Sequence, residues 1–580
     1  MSVFKEKNTI ASVEFKKFKG IDRRAPHGDS SVAYDMTNFR ILSDGSLQKR
    51  EGYKLIPTGF SAIRGVWAGK LNGQKLIFAV QGASVLKISP EDMSYTSLGN
   101  ITNSIGTANF IPYRDSLYLQ TEKNIFLISE NGISTIEGYA PLYGKDWPSE
   151  TVGEVNEPLN LLSKHIRISY VISKDSTYLY LDHLVTSVEA VYINGKLITD
   201  TSRYKLNTSL KYVTITGLKI GDKVSLFMTL DESELKKSDL LSCKNAAVYG
   251  DYKDSMLFFF NGNKKSAILA SCAIDQKSLE EVTSIYPETM PFYISATPIF
   301  KLPKDESRIT AVCRQYDRLL IFTDDETWTA TLSSSPLRKL EAITVNSSYG
   351  CTAPGAAVMC GNDPICVSDG TILRWTAETD EFNECNAYSI SSGIDEMLSP
   401  SFFSNAIVTI DKKHSEIFFR DPKDDKNEVW IYNYASNNWY RFDGIDADLL
   451  FVYDGVFGFI SHTLVYIFDK AQTFDSLKGG NVQTVEAFYE SHPSDFSVKG
   501  RKKRLCGITI GATLSGGELT VECISDGEVL SSRTFSTEST FPTGFIKRVA
   551  SRRFFYTSMR LSSSSDAHQS VHYASIWAKP

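Results

Sequence analysis

The sequence contains no stretch of about 18 consecutive apolar residues, which is the length that a membrane-spanning helix requires. Its N-terminus, MSVFKEKNTIASVEF, has no uninterrupted apolar segment after its charged residues. We therefore expect neither a membrane span nor an export signal, and we expect the chain to fold in the cytoplasm of the cell that makes it.

Closely spaced cysteine pairs are also missing. The nine cysteines are scattered between residues 243 and 523, their number is odd, and none belongs to a C-x-x-C pair. This spacing argues against both zinc ribbons and a disulfide scaffold. We expect the cysteines to be buried free thiols that pack as small hydrophobic residues.

Motifs that carry known chemistry are absent as well. The sequence has no Walker loop, dinucleotide-binding fingerprint or nucleophile elbow. The eight histidines are dispersed, and the one close pair, His568 and His572, has no identifiable third metal ligand. Asp369 and Gly370 resemble part of the Asp-box turn of sialidases, but the motif does not recur and predicts only a turn. The sequence therefore predicts no catalytic, cofactor-binding or metal-binding residues.

Neither sign of charge dominates. There are 62 basic and 68 acidic residues, for a formal net charge of −6, which argues against a protein that coats nucleic acid but leaves a local DNA contact open. The single dense basic run lies between residues 499 and 504. It is a candidate contact to phosphate groups or to an acidic partner, and the alternative is a solvated entrance to a strand. The candidate contact residues are Arg501, Lys502, Lys503 and Arg504.

What the sequence does contain is strand-forming material in repeated units. Tyr and Phe are abundant (28 and 33), which favours strands over helices. Residues 60–139 hold two units with the same plan, in which Val85–Ile88 and Ile125–Ile128 occupy equivalent positions about 40 residues apart. Periods near 40 residues with three or four strands each are typical of β-propeller blades. Further units in the second half bring the predicted number of blades to six, with a seventh as a weaker candidate.

A chain of 580 residues exceeds the size of one core, so two to four domains are expected. The fold class that we predict is all-β: a six-bladed, or seven-bladed, β-propeller with an inserted small β-sandwich and a C-terminal β-sandwich. The predicted boundaries are 1–59 for an extended N-terminal segment that contributes to the propeller, 60–149 for the first blades, 150–235 for the inserted sandwich, 236–478 for the remaining blades and 479–580 for the C-terminal sandwich.

Local signals support this division. In the inserted region, Asn194-Gly195 predicts a type I′ hairpin turn. In the last part of the propeller, the apolar run Val429–Tyr432 and the pair Trp439-Tyr440 predict a hairpin with aromatic residues facing each other across the turn 435–438. Short helices are expected only around 232–241 and 276–283.

The N-terminal segment has a recognisable pattern. A Gly-Ile-Asp start is followed by an Asn-containing middle and by an ending of the form G-x-L-x-x-R-x-G. This pattern resembles the N-terminal signature of tailed-bacteriophage tail nozzle and tail-hub (neck) propeller proteins. Two internal stretches, YPETMPFYIS and YGCTAPGAAVMCGNDPICVSDGTILRW, are similar to the middle blades of the same proteins. The residues that carry the signature are Gly20, Ile21, Asp22, Asn38, Gly45, Leu47, Arg50 and Gly52.

The resemblance implies a non-enzymatic virion structural protein. It implies a homo-oligomeric ring, expected to be a hexamer, in the phage tail or neck, assembled in the host cytoplasm and then part of the virion. It also implies docking to portal or adaptor proteins and to tail fibres, and passage of genomic DNA through the ring during ejection without sequence recognition. Because contact loops of ring proteins often order on docking, we expect the segment before Lys19 to behave in this way.

Two other classes of function remain as alternatives. A carbohydrate- or receptor-binding propeller would use exposed aromatic residues, for which Trp430, Trp439 and Tyr440 are the candidates. A propeller glycoside hydrolase would require two facing carboxylates, and the sequence does not single out such a pair.

Overall fold

The computed structural model describes residues 10–25, 31–56, 61–89, 91–92, 94–149, 157–175, 178–249, 255–333, 339–377, 386–525, 527–536 and 553–579. The chain divides into two compact units. Unit 1 consists of Met1–Gln81, Lys87–Thr96 and Tyr349–Pro580, and unit 2 consists of Gly82–Leu86 and Ser97–Ser348.

The secondary structure is almost entirely β. The strands up to the inserted region are β1 (Ala11–Phe15), β2 (Lys19–Ile21), β3 (Val32–Thr37), β4 (Phe39–Ile41), β5 (Leu47–Lys49), β6 (Tyr53–Ile56), β7 (Ile63–Leu71), β8 (Gln74–Gln81), β9 (Ser84–Ile88), β10 (Tyr95–Asn100), β11 (Ala108–Tyr113), β12 (Ser116–Thr121), β13 (Ile125–Ser129) and β14 (Gly132–Thr135). Those of the inserted region are β15 (Leu142–Pro148), β16 (His165–Val171), β17 (Tyr178–Tyr180), β18 (Val185–Ile193), β19 (Lys196–Leu197), β20 (Tyr204–Asn207), β21 (Tyr212–Ile215) and β22 (Lys223–Leu230).

The second half continues in the same way. Its blade strands are β23 (Asn245–Tyr249), β24 (Met256–Phe260), β25 (Ala267–Ala270), β26 (Phe300–Lys301), β27 (Ala311–Gln315), β28 (Arg318–Phe322), β29 (Thr327–Leu332), β30 (Leu340–Asn346), β31 (Ala357–Cys360), β32 (Asp363–Ser368), β33 (Thr371–Trp375), β34 (Ala387–Ser389), β35 (Ile407–Asp411), β36 (Glu416–Arg420), β37 (Val429–Asn433), β38 (Asn438–Phe442), β39 (Leu449–Tyr453), β40 (Val456–Ser461) and β41 (Leu464–Phe468). The last strands are β42 (Phe474–Ser476), β43 (Val482–Thr484), β44 (Ala487–Ser491), β45 (Lys503–Leu514), β46 (Leu519–Ser525), β47 (Glu528–Phe535), β48 (Arg553–Phe554), β49 (Ser558–Ser563) and β50 (Gln569–Lys579).

Helices are few and short among the described residues. They are α1 (Lys237–Leu241), α2 (Gln276–Ile285) and α3 (Phe402–Asn405), with short 3-10 turns at Thr201–Arg203, Glu232–Glu234, Asp395–Met397 and Lys478–Gly480. The helices predicted around 232–241 and 276–283 are confirmed. Asp275 begins α2 because its side chain accepts a hydrogen bond from the Ser278 backbone N–H.

The blade strands form antiparallel groups of four in which strands that are consecutive in sequence pair with each other, except that β41 pairs with the N-terminal strand β6. Their orders are β7-β8-β9-β10, β11-β12-β13-β14, β23-β24-β25-β26, β27-β28-β29-β30, β31-β32-β33-β34, β35-β36-β37-β38 and β39-β40-β41-β6. This is the strand pattern of propeller blades. The two sequence repeats found in residues 60–139 correspond to the first two sheets, with β9 and β13 as their third strands.

Inner strands of these sheets are buried along their length because both faces are covered. All five residues of β24 are buried, and so are all five residues of β36, Glu416 and Arg420 included. Outer strands such as β10 are mostly exposed. The predicted aromatic hairpin is confirmed, since Tyr432 pairs with Trp439 and Ile431 pairs with Tyr440.

The inserted region in unit 2 consists of a five-stranded sheet, β15-β16-β22-β18-β19, and a three-stranded sheet, β17-β21-β20. Their side chains share one apolar core that includes Ile168, Val191, Val213 and Leu226. The sandwich starts with β15 at Leu142, before the predicted boundary at 150, because β15 pairs in parallel with β16. Asn194 and Gly195 both have positive φ (50° and 76°), as a type I′ turn requires.

His165 begins β16 and lies against α2. Its ring stacks on Tyr286 with the centroids 3.9 Å apart, and its Nδ1 lies 3.2 Å from the Thr229 hydroxyl oxygen. Burial, helped by the charge of Lys164, lowers the pKa of His165 to about 4. The imidazole is therefore neutral in the folded protein at pH 5 to 7.

The lowered pKa of His165 predicts that this residue makes an acid-sensitive contribution to the free energy of unfolding. The unfolded histidine takes up its proton near pH 6.5 and the folded one only near pH 4, so the contribution is present above about pH 6.5 and is lost as the pH falls toward 4. We expect His165→Phe, which keeps a stacked ring, to flatten the decline of melting temperature between pH 6.5 and 4. Thermal melts of His568→Phe, which changes an exposed histidine, provide the control. An unchanged slope in His165→Phe would assign the acid sensitivity to other groups.

The C-terminal part of unit 1 is a β-sandwich that also contains strands from the N-terminus. One sheet has the order β4-β5-β50-β45-β48, with β1 also paired to β50. The other runs β3-β44-β49-β46-β47 and is continuous through β3 with the blade β35-β36-β37-β38, so that ten strands, β2 included, form one sheet. Phe15, Phe39 and Leu47 belong to the same apolar core as Leu561 and Ile576.

This arrangement corrects two expectations. Residues 1–59 were expected to contribute to the propeller; β6 does so as the fourth strand beside β41 and β3 pairs with the blade strand β38, but β1, β3, β4 and β5 also complete the sandwich predicted for 479–580. The long strand β50 needs neighbours for its backbone groups, and the N-terminal strands supply them. Residues 11–15, expected to order on docking, are paired with β50 within the chain itself. Residues 1–9 lie outside the described part.

Candidate functional site

The residues that carry the N-terminal signature lie in a segment that joins a blade to the C-terminal sandwich. We call the described residues 18–25 and 31–56 the N-terminal clasp. Within it, β3 lies between β38 of the blade and β44 of the sandwich, with Thr37 opposite Arg441 and Met36 opposite Tyr489. The hairpin β4-β5 continues onto β50, and β6 pairs with β41. The clasp is therefore hydrogen-bonded to both parts of unit 1.

Arg50 is the centre of the clasp. Its guanidinium is buried and forms a two-pronged ion pair with Asp475, with Nη1 2.8 Å from Oδ1 and Nη2 2.6 Å from Oδ2. The remaining donors are also used, by the side-chain oxygen of Asn38 (2.8 Å) and by the carbonyl oxygens of Glu51 (3.0 Å) and Asp443 (3.1 Å). Burial raises the pKa of the Asp475 carboxyl, although Arg50 acts to lower it. The pair thus has its charges fully enclosed and fully hydrogen-bonded.

Asn38 connects three distant parts of the chain at the same point. It is completely buried with φ at +58°, a conformation that asparagine tolerates better than most residues. Its Oδ1 accepts hydrogen bonds from Arg50 Nε and from the Asp443 backbone N–H (3.0 Å). Its Nδ2 donates to the Glu486 carbonyl oxygen and to the Asp443 carboxylate. One side chain therefore binds the N-terminal segment, the end of a blade and the start of the sandwich together.

The glycines of the signature lie where the chain approaches another backbone too closely for a side chain. A Cβ atom on Gly20 would lie 2.4 Å from the Trp439 carbonyl oxygen, and one on Gly52 would lie 1.9 Å from that of Phe474. Gly45 has a positive φ of 84° in the turn between β4 and β5, where its carbonyl accepts a hydrogen bond from Phe18 N–H. These three positions require glycine for steric reasons.

The other signature residues also have structural contacts. Ile21 and Leu47 are buried in the core of unit 1. Asp22 pairs its backbone with Ala33, and its carbonyl oxygen lies 2.7 Å from His492 Nε2. The structure therefore brings Asn38 and Arg50 into direct contact, and it distributes the remaining signature residues along the seam between blade and sandwich.

A second buried charge cluster in the clasp was not predicted from the sequence. Arg40 Nε lies 3.0 Å from Glu416 Oε1, and Arg40 Nη1 lies 3.7 Å from Glu51 Oε2. Burial disfavours the guanidinium charge, but Glu416 and Glu51 together raise the pKa of Arg40. The Tyr440 hydroxyl donates to Glu416 as well. Because Arg40 and Glu416 are 376 residues apart in sequence, no local pattern could have revealed this pair.

This cluster contains two carboxylates, the number that a glycoside hydrolase needs, but Glu416 is only 1% exposed. Arg40 occupies the position next to both carboxylates. A polymeric substrate has no access to Glu416 in this arrangement. The geometry is that of a buried ion pair that orders the seam.

The aromatic residues proposed for sugar stacking are not available for it. Trp430, Trp439 and Tyr440 are all buried, and the Trp439 indole N–H donates to the Ile390 carbonyl oxygen at 2.6 Å. This part of the carbohydrate-binding interpretation is wrong at these residues. The alternation of side chains in the sequence of β37 and β38 predicts which residues share a face of the sheet. It does not predict whether other strands cover that face and bury those residues.

The basic run lies at the start of β45 in the C-terminal sandwich. Arg501, Lys502 and Arg504 are exposed. Lys503 is not a surface residue as predicted, because strand alternation turns it inward, where it is 1% exposed and its ammonium donates to the carbonyl oxygens of Arg501 and Phe555 (both 2.9 Å). Burial lowers the pKa of Lys503. The candidate contact surface thus consists of the outward-facing residues only.

The remaining candidates from the sequence have ordinary positions. Asp369 and Gly370 form the turn between β32 and β33, with Gly370 at φ 71°. His568 and His572 are exposed, and His572 Nε2 lies 2.8 Å from the Thr513 hydroxyl oxygen. Within the described ranges, no three His, Cys, Asp or Glu side chains are grouped so that they could hold a metal ion. Nor does any helix in these ranges have the length and apolar character needed to cross a membrane.

Comparison with known proteins gives no family. No family model matches the chain, and no curated protein matches it. Among solved structures, PorZ, an essential bacterial surface component of the type-IX secretion system of Porphyromonas gingivalis, has a TM-score of 0.34 at 8% identity and covers 76% of this chain. The CNH domain of AfRom2 has a TM-score of 0.35 at 6% identity, covering 72% of this chain and 99% of that domain. The exo-beta-1,3-galactanase of Phanerochaete chrysosporium has a TM-score of 0.23 at 8% identity, covering 57% of this chain and 95% of the enzyme.

The chain spans 42% of the length of PorZ. We draw no conclusion about function from likenesses at these TM-scores. The assignment of propeller-type blades and β-sandwiches stands on the sheet topology described above.

Proposed function

We propose that this protein is a structural component of a tailed-bacteriophage virion, a nozzle or tail-hub propeller that assembles as a ring in the tail or neck. The observation that supports this proposal is the position of the signature residues. Those residues, which resemble the N-terminal signature of such proteins, hold the seam where a blade and the C-terminal sandwich meet. A purely structural role explains why these residue types are required at these positions.

The physical demands of a ring fit this arrangement. In a closed ring, each copy repeats the same heterologous contact, so a small angular error in one copy is multiplied around the circle. A subunit in which a ten-stranded sheet runs from blade into sandwich, fixed by the buried Arg50–Asp475 pair, has little freedom to vary this angle. We propose a homo-hexamer that docks on portal or adaptor proteins and through which genomic DNA passes during ejection, without sequence recognition.

The inserted sandwich is the proposed attachment point for tail fibres. Within unit 2 it is fixed rather than tethered, because Arg167 on β16 is buried and reaches Glu281 on α2 (2.9 Å), the Tyr139 hydroxyl (2.6 Å) and the Ala140 carbonyl oxygen (3.1 Å). A docking domain held in this way transmits the orientation of whatever binds to it.

Negative-stain electron microscopy of the purified protein, alone and mixed with connector rings from tailed phages, tests the proposal. We expect six-fold or twelve-fold rings, or caps docked on the connectors, because the proposed contact repeats with rotational symmetry. A persistent monomer that ignores connectors and binds or cleaves a polysaccharide would overturn the proposal. In that case Tyr178 and Tyr180, which are 45% and 44% exposed on the inserted sandwich, are the first residues to substitute.

A further inference from the structure

Three cations lie side by side across neighbouring strands of the C-terminal sandwich. Arg504 on β45 is directly opposite Arg553 on β48 and directly opposite Lys579 on β50. Residues that are directly opposite in antiparallel strands point to the same face, and all three side chains are exposed. Neighbouring strands are about 4.8 Å apart, so the three positions span about 10 Å. We call Arg504, Arg553 and Lys579 the cation row.

The row carries an electrostatic cost that no acidic side chain among the described residues offsets. Like charges directly opposite each other on adjacent strands destabilise a sheet. Within the described residues, no carboxylate lies within ion-pair distance of any of the three side chains. By contrast, Arg560 on the other sheet of the same sandwich is paired with Glu490 at 2.7 Å. Like charges that no described side chain neutralises favour an external anion as their partner.

The surroundings of the row extend the positive surface. Lys502 is exposed, and its ammonium lies over the ring of Phe555 at 5.4 Å from the centroid. Lys503, the neighbour of Arg504 that points inward, anchors this end of β45 by donating to two carbonyl oxygens. The backbone that carries Arg504 is therefore held in place, and the charges of the cation row face outward.

We infer that the cation row is a contact site for the phosphate backbone of double-stranded DNA. Duplex DNA carries one negative charge per about 1.7 Å of its axis, so a straight row of three cations can neutralise several phosphates at once. The exposed ring of Phe555, which follows Arg553 by two residues, has Lys502 above it, which argues against its use as a stacking platform for single-stranded bases. The choice of DNA over an acidic protein rests on the proposed function, since a DNA-conducting virion component meets this polyanion.

The test measures binding of a fluorescein-labelled duplex of about 30 base pairs by anisotropy, as a function of salt concentration. For three phosphate contacts we expect a slope of log K against log salt of about −2.7 from the row alone, with further contacts adding to it. The double substitution Arg504→Gln with Arg553→Gln should reduce the magnitude of the slope by about 1.8. The control is Lys196→Gln with Lys219→Gln, which removes two exposed lysines of the inserted sandwich and should leave the slope unchanged.

A charge reversal separates binding from folding. Arg504→Glu places a carboxylate between Arg553 and Lys579, so we expect the melting temperature to stay the same or rise while DNA binding is lost. A fall in melting temperature together with the loss of binding would show that the row is structural and would overturn the inference. Tighter binding to single-stranded DNA than to the duplex, or equal competition by polyglutamate, would also overturn it.

The two proposals fail separately. If the protein forms rings but the Arg504→Gln with Arg553→Gln variant binds DNA with an unchanged salt slope, the DNA contact is overturned and the proposed ring is supported. If the protein never forms rings but binds duplex DNA through the cation row with the expected salt dependence, the ring is overturned and the DNA contact is supported.

Discussion

Arg50→Met is expected to lower the free energy of unfolding of the blade-and-sandwich part of the chain by about 3 to 5 kcal/mol. The substitution removes the partner of Asp475, a carboxylate only 5% exposed, and leaves its charge enclosed without compensation. It also removes the hydrogen bonds that Arg50 donates to the oxygen atoms of Asn38, Glu51 and Asp443. Equilibrium unfolding in urea, followed by circular dichroism and tryptophan fluorescence, measures the effect.

The control is the double variant Arg50→Met with Asp475→Leu. Replacing both members of a buried ion pair by apolar residues often restores stability, because no charge is left unpaired. We expect the double variant to recover at least half of the loss and to be clearly more stable than Arg50→Met alone. A double variant that is as unstable as the single one would show that the ion pair is not what makes Arg50 important.

Gly52→Ala is expected to have the second large effect. The new Cβ atom would lie 1.9 Å from the Phe474 carbonyl oxygen and 2.5 Å from the Phe474 carbonyl carbon. Gly52 cannot move away easily, since its N–H donates to Gln472 and its carbonyl accepts from Asp469 (both 3.0 Å). The contact is with backbone rather than with a flexible side chain, so we expect a loss of about 3 kcal/mol, at the upper end of overpacking effects. Thermal melts and soluble yield measure it.

Gly132→Ala is the matched control. The same added methyl group there meets nothing closer than the Leu98 carbonyl oxygen at 3.9 Å. It should change the melting temperature by little. If Gly52→Ala were tolerated as well as Gly132→Ala, the close approach between the clasp and β42 would be disproved.

The parts of the fold that could be predicted from the sequence are those set by near neighbours. The hairpin from Val429 to Tyr440 and the Asn194-Gly195 turn follow from alternation and turn chemistry over a dozen residues or fewer. The repeat of about 40 residues likewise predicted the four-stranded sheets, because these sheets, apart from the one completed by β6, pair strands that follow one another in the chain.

The parts that could not be predicted depend on partners far away in sequence. Arg50 and Asp475 are 425 positions apart, and nothing near Arg50 indicates an acidic partner in that region. For the same reason, β1 and β3 could not be assigned to the sandwich, since their neighbours β50 and β44 lie more than 450 residues later. Sequence reasoning named Asn38 and Arg50 through a family resemblance, and their physical role required the structure.

Errors at single residues have local causes. In the run KGRKKR, a succession of like charges hides the strand alternation that separates the buried Lys503 from the exposed Arg504. In the aromatic hairpin, alternation identified shared faces but not their burial. Both cases show that a periodic pattern gives relative orientation, whereas burial depends on which other strands cover that face.

The central claim is that the clasp makes the blade and the C-terminal sandwich a single cooperative structure, and native-state hydrogen exchange tests it most directly. In the wild-type protein we expect amides of β38, β41, β44 and β50 to exchange with one common free energy of opening, and in Arg50→Met we expect all four strands to lose protection together. If β44 and β50 lost protection while β38 and β41 kept theirs, the clasp would not couple the blade to the sandwich, and the claim of a single cooperative structure would be contradicted.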